Sequence, residues 1–250
     1  MSGTLSHKTI SRLMSDILGA TSDDMKKVGI HYSPDESNMT NGHALIFGPD
    51  GTPYEGGAYI FSVKFPNRYP FEPPEIKTLV QDGHTRFNPN MYRDGKMCLS
   101  LLNTWHHGDK WSACQTLSSC LLSIQTAVLC EMPLTREPSK ENLGKSEESI
   151  IYDRMILHAN LQTAVIGMLK STPNFAVTFY DEISSNFLKK RERFVDLAVS
   201  MIEYDNVKER MDYFNMTVTY RFSTLGDIIQ DLVLRDPRLS SAGGCINEIK

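Results

Sequence analysis

The pattern of apolar and polar positions divides the chain into an opening helix, a run of alternating segments and a helical second half. Ile10, Leu13, Met14, Ile17 and Leu18 recur at i, i+3, i+4, i+7 and i+8, which predicts one apolar helix face over 6–18, stopped by Gly19. Period-two patterning follows. Val28, Ile30 and Tyr32 alternate, Ala44 to Phe47 form a short apolar run, and Tyr59, Phe61, Val63 and Phe65 alternate against Ile60, Ser62 and Lys64. A fourth strand fits Glu75 to Val80, directly after Pro73-Pro74, where prolines would otherwise break a ladder. Ser33-Pro34-Asp35 and the glycine-rich stretch from Gly48 to Gly57 separate the first strands, and such short gaps favour an antiparallel meander.

Helical spacing then returns. Thr116 is a fair cap for a helix carrying Leu117, Leu121, Ile124 and Val128, expected to cross the sheet with Cys120 and Cys130 in the core. From about 146 further helices are expected. Leu157, Leu161, Val165 and Met168 form one stripe, Ser171-Thr172-Pro173 a stop and restart, and Phe179, Ile183, Phe187 and Phe194 the next stripe. In the tail, Met216, Val218, Tyr220 and Phe222 alternate like a strand. Ile228 to Leu234 read as a short helix and 240–244 as disordered. The fold class is therefore α+β, and 250 residues suffice for one large domain plus an appendage.

Composition narrows the function classes. A net charge of -4 provides no basic field for a nucleic-acid partner. The five cysteines are scattered without a CxxC pair, which points to a reducing compartment, cytoplasm or nucleus, and against zinc or any other metal. No run approaches the ~20 apolar residues of a membrane span, and the first residues do not read as a signal peptide.

Candidate chemistry centres on Phe87 to Leu101, FNPNMYRDGKMCLSL. Cys98 follows the polar turn Arg93-Asp94-Gly95-Lys96, surroundings that favour a reachable sulfur with thiolate character. Eight residues earlier stands an Asn-Pro-Asn corner, Asn88-Pro89-Asn90. Pro89 stiffens it, and the Asn90 amide could donate to an oxyanion on a carbonyl attacked by Cys98, which suggests acyl transfer. The plainer alternatives are a small apolar residue under a loop and an Asx turn.

Flanking motifs carry a resemblance. Tyr69-Pro70-Phe71-Glu72-Pro73-Pro74, the Asn-Pro-Asn corner, Gly95-Lys96-Met97-Cys98-Leu99 and the later Trp111 resemble the catalytic domain of ubiquitin-conjugating enzymes, from about residue 28 to 205. Leu99 to His106 looks like the branch found in very large hybrid conjugating/ligase enzymes such as the giant inhibitor-of-apoptosis type. The usual motif is His-Pro-Asn, and here Asn88 stands first. The resemblance implies a UBC-like fold: a four-stranded antiparallel meander, an N-terminal helix, a central helix and extra C-terminal helices. It divides the chain into a catalytic core over 1–205 and an extension over 206–250 with no recognised role.

For function, the resemblance implies that Cys98 accepts ubiquitin as a thioester from the activating enzyme and passes it to a lysine of a target protein, with Asn90 as the catalytic partner. No cofactor is implied, since ATP is used upstream. Glu137 and Ser139 are candidates for orienting the lysine, Lys8 and Arg12 for meeting the activating enzyme, and Phe65, Pro66 and Ala113 for docking a ligase. The loop Ser112-Ala113-Cys114-Gln115 lacks the proline of many ligase-docking members, which fits the hybrid branch. For Phe65 and Trp111 a core role is the competing reading, favoured for Trp111. Rival functions are a cysteine hydrolase pairing Cys98 with His84, His106 or His107, an inactive ubiquitin-binding variant, and a carrier of a ubiquitin-like modifier.

Overall fold

The computed structural model describes residues 6–105, 108–235 and 239; the stretch 240–244, His106, His107 and Cys245 lie outside the described residues. Helix α1, His7–Ala20, starts on Ser6, whose hydroxyl accepts from the Thr9 N–H, and runs through Gly19 instead of stopping there. Its buried face also differs from the apolar stripe. Leu13 and Asp16 point inward, whereas Met14 and Leu18 are exposed. The reason is polar: Asp16 accepts from Arg12 Nε at 2.7 Å and from the Tyr69 hydroxyl, and these partners let a carboxylate occupy the interior. A five-residue helix, α2, Asp23–Lys27, follows, and Val28 caps it instead of joining a strand.

Four strands form the sheet in sequential antiparallel order: β1 Ile30–Pro34, β2 Asn41–Phe47, β3 Ala58–Lys64 and β4 Glu75–Thr78. The register aligns Ile30, Ile46 and Tyr59 in one row, Tyr32, Ala44 and Phe61 in the next, and Val63 with Ile76 in a third. All are buried, so this face holds the core. The opposite face is polar at Ser33, His43, Ser62 and Lys77, yet Leu45 and Ile60 at its centre are also buried. Strict alternation fails there.

The central helix α3, Leu117–Ser123, opens with a reciprocal cap between Thr116 and Ser119 and continues as a wider-wound turn over Ile124–Val128. Gln125 within that turn donates to the carbonyls of Val28 and Phe47, tying the helix to one end of the sheet. Cys120 is fully buried as expected, but Cys130 is not: it lies beyond the helix, half-buried, its sulfur accepting from Arg136 Nε at 3.3 Å. Helix α4, Glu147–Ala159, widens over Asn160–Gly167 and runs into α5, Met168–Lys170, before the Ser171-Thr172-Pro173 break. Buried Asn160 joins this run to β3, accepting from the Tyr59 hydroxyl at 2.7 Å and donating to the Glu55 carbonyl at 3.1 Å. Gly57 makes room, since a Cβ there would lie 1.9 Å from Asn160 Oδ1.

Helix α6, Tyr180–Ser200, packs against the final helix, α7, Phe222–Arg235. Between them β5, Lys208–Met211, and β6, Met216–Thr219, form a hairpin. The strand expected to reach Phe222 therefore ends at Thr219, and Phe222 begins a helix. The Asp205 carboxylate accepts from Ser223 N in its first turn at 3.1 Å, a local bond that periodicity does not show. The hairpin docks on α4 through paired bonds from Arg154 to Glu209 at 3.1 and 2.8 Å, with Arg154 stacked 3.6 Å over Tyr204. Among the described residues no helix is long and apolar enough to cross a membrane.

Two groups on α4 titrate in opposite senses. Burial pushes His158 down to about 4, and its Nε2 accepts from Arg221 N at 3.2 Å, a bond that protonation would remove. Burial, with help from Glu131, pushes Asp153 up to about 7, and its Oδ1 has no partner among the described residues. Between about pH 4 and 6.5 the unfolded chain binds a proton at His158 that the fold does not, so this contribution falls as pH falls. Asp153 behaves oppositely, being protonated in the fold and ionised in the unfolded chain over about pH 4–7. We expect Asp153→Asn to steepen the stability loss between pH 7 and 4.5 by on the order of 3 kcal/mol, and His158→Asn to flatten it similarly. Urea unfolding at the two pH values checks this, and equal losses in wild type and both variants would refute it.

Candidate active site

The turn between β2 and β3 brings Tyr54 beneath the Asn-Pro-Asn corner, where its hydroxyl donates to the Phe87 carbonyl at 2.6 Å. Asn88, fully buried, fills the corner. Its Nδ2 donates to Tyr54 Oη at 3.0 Å and to the Val128 carbonyl at 2.7 Å, and its Oδ1 accepts from Asn90 N at 2.8 Å. One amide thus joins the β2–β3 turn, the end of the central helix and the backbone of Asn90. This satisfies both of its N–H groups and anchors the corner where no water can.

Asn90 and Cys98 then hold one another. The Cys98 N–H donates to the Asn90 carbonyl at 2.9 Å, and Asn90 Nδ2 donates back to the Cys98 carbonyl at 2.7 Å. A tight reversal between them returns the chain: Gly95 at φ 89° donates to the Tyr92 carbonyl, and Tyr92 N donates to Lys96. Thr104 closes the far side, its hydroxyl accepting from Leu99 N and donating to the Met97 carbonyl, both at 2.9 Å. The expectation of a readily reached thiol is corrected in degree, because Cys98 is 3% exposed. A groove of about 290 Å³, walled by Pro73, Ile76, Met97, Leu102 and Thr104, runs beside this segment.

Arg86 seals the corner from outside. Its guanidinium donates to the carbonyls of Asn88 at 3.1 Å and Pro89 at 2.7 Å and lies 3.5 Å from the Tyr92 ring centroid. Periodicity gives no hint of this residue, because a charge before Phe87 reads as a solvated loop. Tyr54 likewise lies in a turn that sequence reasoning treats as a connection.

The remaining candidates are scattered. Glu137 and Ser139 follow a short turn, Pro133–Arg136; Glu137 is half-buried and accepts from the Tyr213 hydroxyl at 2.9 Å, while Ser139 is exposed at φ 71°. Lys8 is exposed on α1. Arg12 is turned inward, its Nη1 donating to the Ala113 carbonyl at 2.7 Å and its Nη2 to Gln115, so it fastens α1 to the loop after Trp111. Phe65 is buried edge-on against Tyr69, ring centroids 4.8 Å apart, and Pro66 is half-buried. Trp111 is buried too, its Nε1 donating to the Pro70 carbonyl at 2.7 Å. The aromatic that this proline-rich loop presents to solvent is Phe71, 77% exposed. Among the described residues no histidine is hydrogen-bonded to Cys98, while His106 and His107 lie outside them.

A four-stranded meander with a cysteine and an asparagine clasped beside the central helix defines a UBC-type α+β domain. Residues 12–149, more than half of the chain, match the family model described as ubiquitin-conjugating enzyme, and the chain belongs to that family. Among curated relatives, ubiquitin-conjugating enzyme E2 Z of Danio rerio is 39% identical over 186 residues, 74% of this chain and 55% of that protein. The Homo sapiens E2 Z is 43% identical over 143 residues, 57% of this chain and 40% of that protein. The human dual E2 ubiquitin-conjugating enzyme/E3 ubiquitin-protein ligase BIRC6 is 39% identical over 166 residues, 63% of this chain but 3% of that protein. The chain thus spans about half the length of the E2 Z relatives it matches.

Asn88→Ala removes three hydrogen bonds and leaves the Asn90 N–H without a partner in a dry site, while the Val128 carbonyl keeps only the Cys130 N–H at 2.9 Å. We expect a loss of about 2–4 kcal/mol in denaturant unfolding. A loss under about 0.5 kcal/mol, the scale of a surface substitution, would show that the corner is held by other means.

Proposed function

We propose that Cys98 accepts the carboxy-terminus of ubiquitin from the activating enzyme as a thioester and transfers it to a lysine amine of a target protein. The observation that carries this reading is the two-way clasp between Asn90 and Cys98, at 2.9 and 2.7 Å, within the segment matched to the family. In the first step the Cys98 thiolate attacks the incoming thioester carbonyl, the new C–S bond forms and the donor's thiolate leaves. This exchange is nearly isoenergetic and needs proximity rather than a cofactor, ATP having been used upstream.

In the second step a neutral lysine nitrogen attacks the same carbonyl and Cys98 leaves as thiolate. Asn90 acts here by fixing the loop that carries the thioester. Its amide hydrogens already face the Cys98 carbonyl, so the backbone at the reacting residue is held before acylation. A buried cysteine confines the reaction to carbonyls delivered by a docked protein, which suits an acyl carrier better than a hydrolase open to water. Exposed Lys8 remains the candidate for meeting the activating enzyme, and Phe71 joins half-buried Pro66 as the candidate face for a ligase.

Charging with ubiquitin, activating enzyme and ATP tests the proposal on a non-reducing gel. We expect a thiol-sensitive adduct with wild type, a thiol-resistant ester with Cys98→Ser and none with Cys98→Ala. Asn90→Ala should slow lysine discharge by roughly two to three decades. A wild type that takes up no ubiquitin would overturn the reading in favour of a binding module or of another modifier.

A further inference from the structure

Arg93 belongs to the turn between Asn90 and Cys98 and Glu137 to the loop after the central helix, and both are met by the tip of the β5–β6 hairpin. Arg93 Nη2 donates to the Phe214 carbonyl at 2.7 Å. One residue earlier, the Tyr213 hydroxyl donates to Glu137 Oε1 at 2.9 Å. The Phe214 ring packs 5.4 Å from Tyr152 on α4 and 5.6 Å from the Arg86 guanidinium carbon, and Arg86 N donates to Met216 Sδ at 3.3 Å. The hairpin's base is fixed by the Arg154–Glu209 pair and by burial of Met211, Met216 and Tyr220. A rigid base with its tip on two loops has the form of a strap.

We propose that this hairpin tip straps the two loops together and that Tyr213 is a positioning residue, holding the Glu137 carboxylate at the place where the incoming lysine is received. The proposal rests on the acyl-transfer reading above and adds to it the element that selects and orients the acceptor. Among the described residues no other side chain hydrogen-bonds Glu137, so Oε2 keeps its lone pairs for a ligand. Nearby Lys140 does not neutralise it: the Lys140 ammonium sits 5.0 Å over the Tyr213 ring and is bound to Glu148 at 2.8 and 2.9 Å. The bond to Glu137 raises the Tyr213 phenol above its ordinary range, which keeps it a donor at physiological pH.

An arriving lysine ammonium would donate to Glu137 Oε2 and lose one proton to solvent water. Its neutral nitrogen then attacks the thioester carbonyl, the C–N bond forms, the C–S bond breaks and Cys98 departs as thiolate. The remaining excess proton on nitrogen passes to solvent. Glu137 orients the amine throughout, and Tyr213 acts through Glu137.

The test uses the full chain charged with ubiquitin on Cys98, as wild type, Tyr213→Phe, Glu137→Gln and the double variant. The readout is partition of the thioester between free lysine and water at several lysine concentrations, counted per charged enzyme. We expect Tyr213→Phe to lower the lysine-to-water partition by roughly three- to tenfold, the range for one ordinary hydrogen bond, since this one is solvent-exposed. Glu137→Gln should lower it at least as far, and the double variant no further than Glu137→Gln, because residues acting in series are not additive. A site merely loosened slows both reactions together, so an unchanged partition in Tyr213→Phe overturns the strap. Additive losses in the double variant overturn it as well. A wild type that forms no thioester overturns the acyl-carrier reading and the strap with it, whereas a charged wild type with an indifferent Tyr213→Phe overturns the strap alone.

Discussion

The buried amide of Asn88 is the constraint on which the segment from the Asn-Pro-Asn corner to Cys98 depends. A side-chain amide removed from water is tolerated where its donors and acceptor are engaged, and here they are engaged by Tyr54, the Val128 carbonyl and the Asn90 N–H. Each partner comes from a different part of the chain: the β2–β3 turn, the end of the central helix and the corner itself. The corner therefore cannot form before those elements have packed, and once formed it cannot shift without exposing a polar group in a dry place. The clasp between Asn90 and Cys98 inherits that rigidity. An asparagine at the first position of the motif has the donors and the reach that the structural task requires.

The same logic operates at the far side of the sheet. Buried Asp16 and Tyr69 form a polar triad with half-buried Arg12, whose guanidinium also holds the Ala113 and Gln115 carbonyls. This triad sets the rotation of α1, overriding the apolar stripe, and leaves Met14 and Leu18 in solvent. Satisfying a carboxylate in the interior outweighs covering two more apolar side chains, since an unpaired buried charge costs more than the ~1.5–3 kcal/mol that a large apolar group contributes. Trp111 and Pro70 continue the brace, so the proline-rich loop is fixed at Tyr69 and Pro70 and presents Phe71 outward.

Beyond the matched region the chain folds back instead of trailing away. The hairpin and α7 bind α4 and α6 through a paired arginine, edge-on contacts of the His158 ring with Tyr220 and Phe222, and the close approach of Gly226 to Ala198, whose Cβ lies 3.6 Å from where a Cβ on Gly226 would stand. Packing of this kind brings a sequence extension against Arg93, in the turn that leads to Cys98, and against Arg86 beside the Asn-Pro-Asn corner. It also explains why Arg86 can hold the corner from outside: its guanidinium is covered by Tyr92 on one side and approached by Phe214 on the other.

The sequence by itself determined the order of the four strands of the main sheet, the central helix and its Thr116 cap, the proline break after Lys170, and the closeness in sequence of an Asn-Pro-Asn corner and Cys98, but not strand β5. These are local matters: period-two and period-3.6 burial, turn chemistry and caps act over a few residues and leave their mark in spacing. Tertiary structure decided what each polar side chain does. Arg12 reads as an exposed helix charge and is a half-buried brace; Cys130 fits a helical stripe and lies past its end; Phe222 continues an alternation and starts a helix because Asp205, 17 residues earlier, caps it. The contact of Tyr213 with Glu137 joins positions 76 residues apart. Hydrogen bonds of that reach depend on where whole elements come to rest, and no short-range pattern in a chain records it.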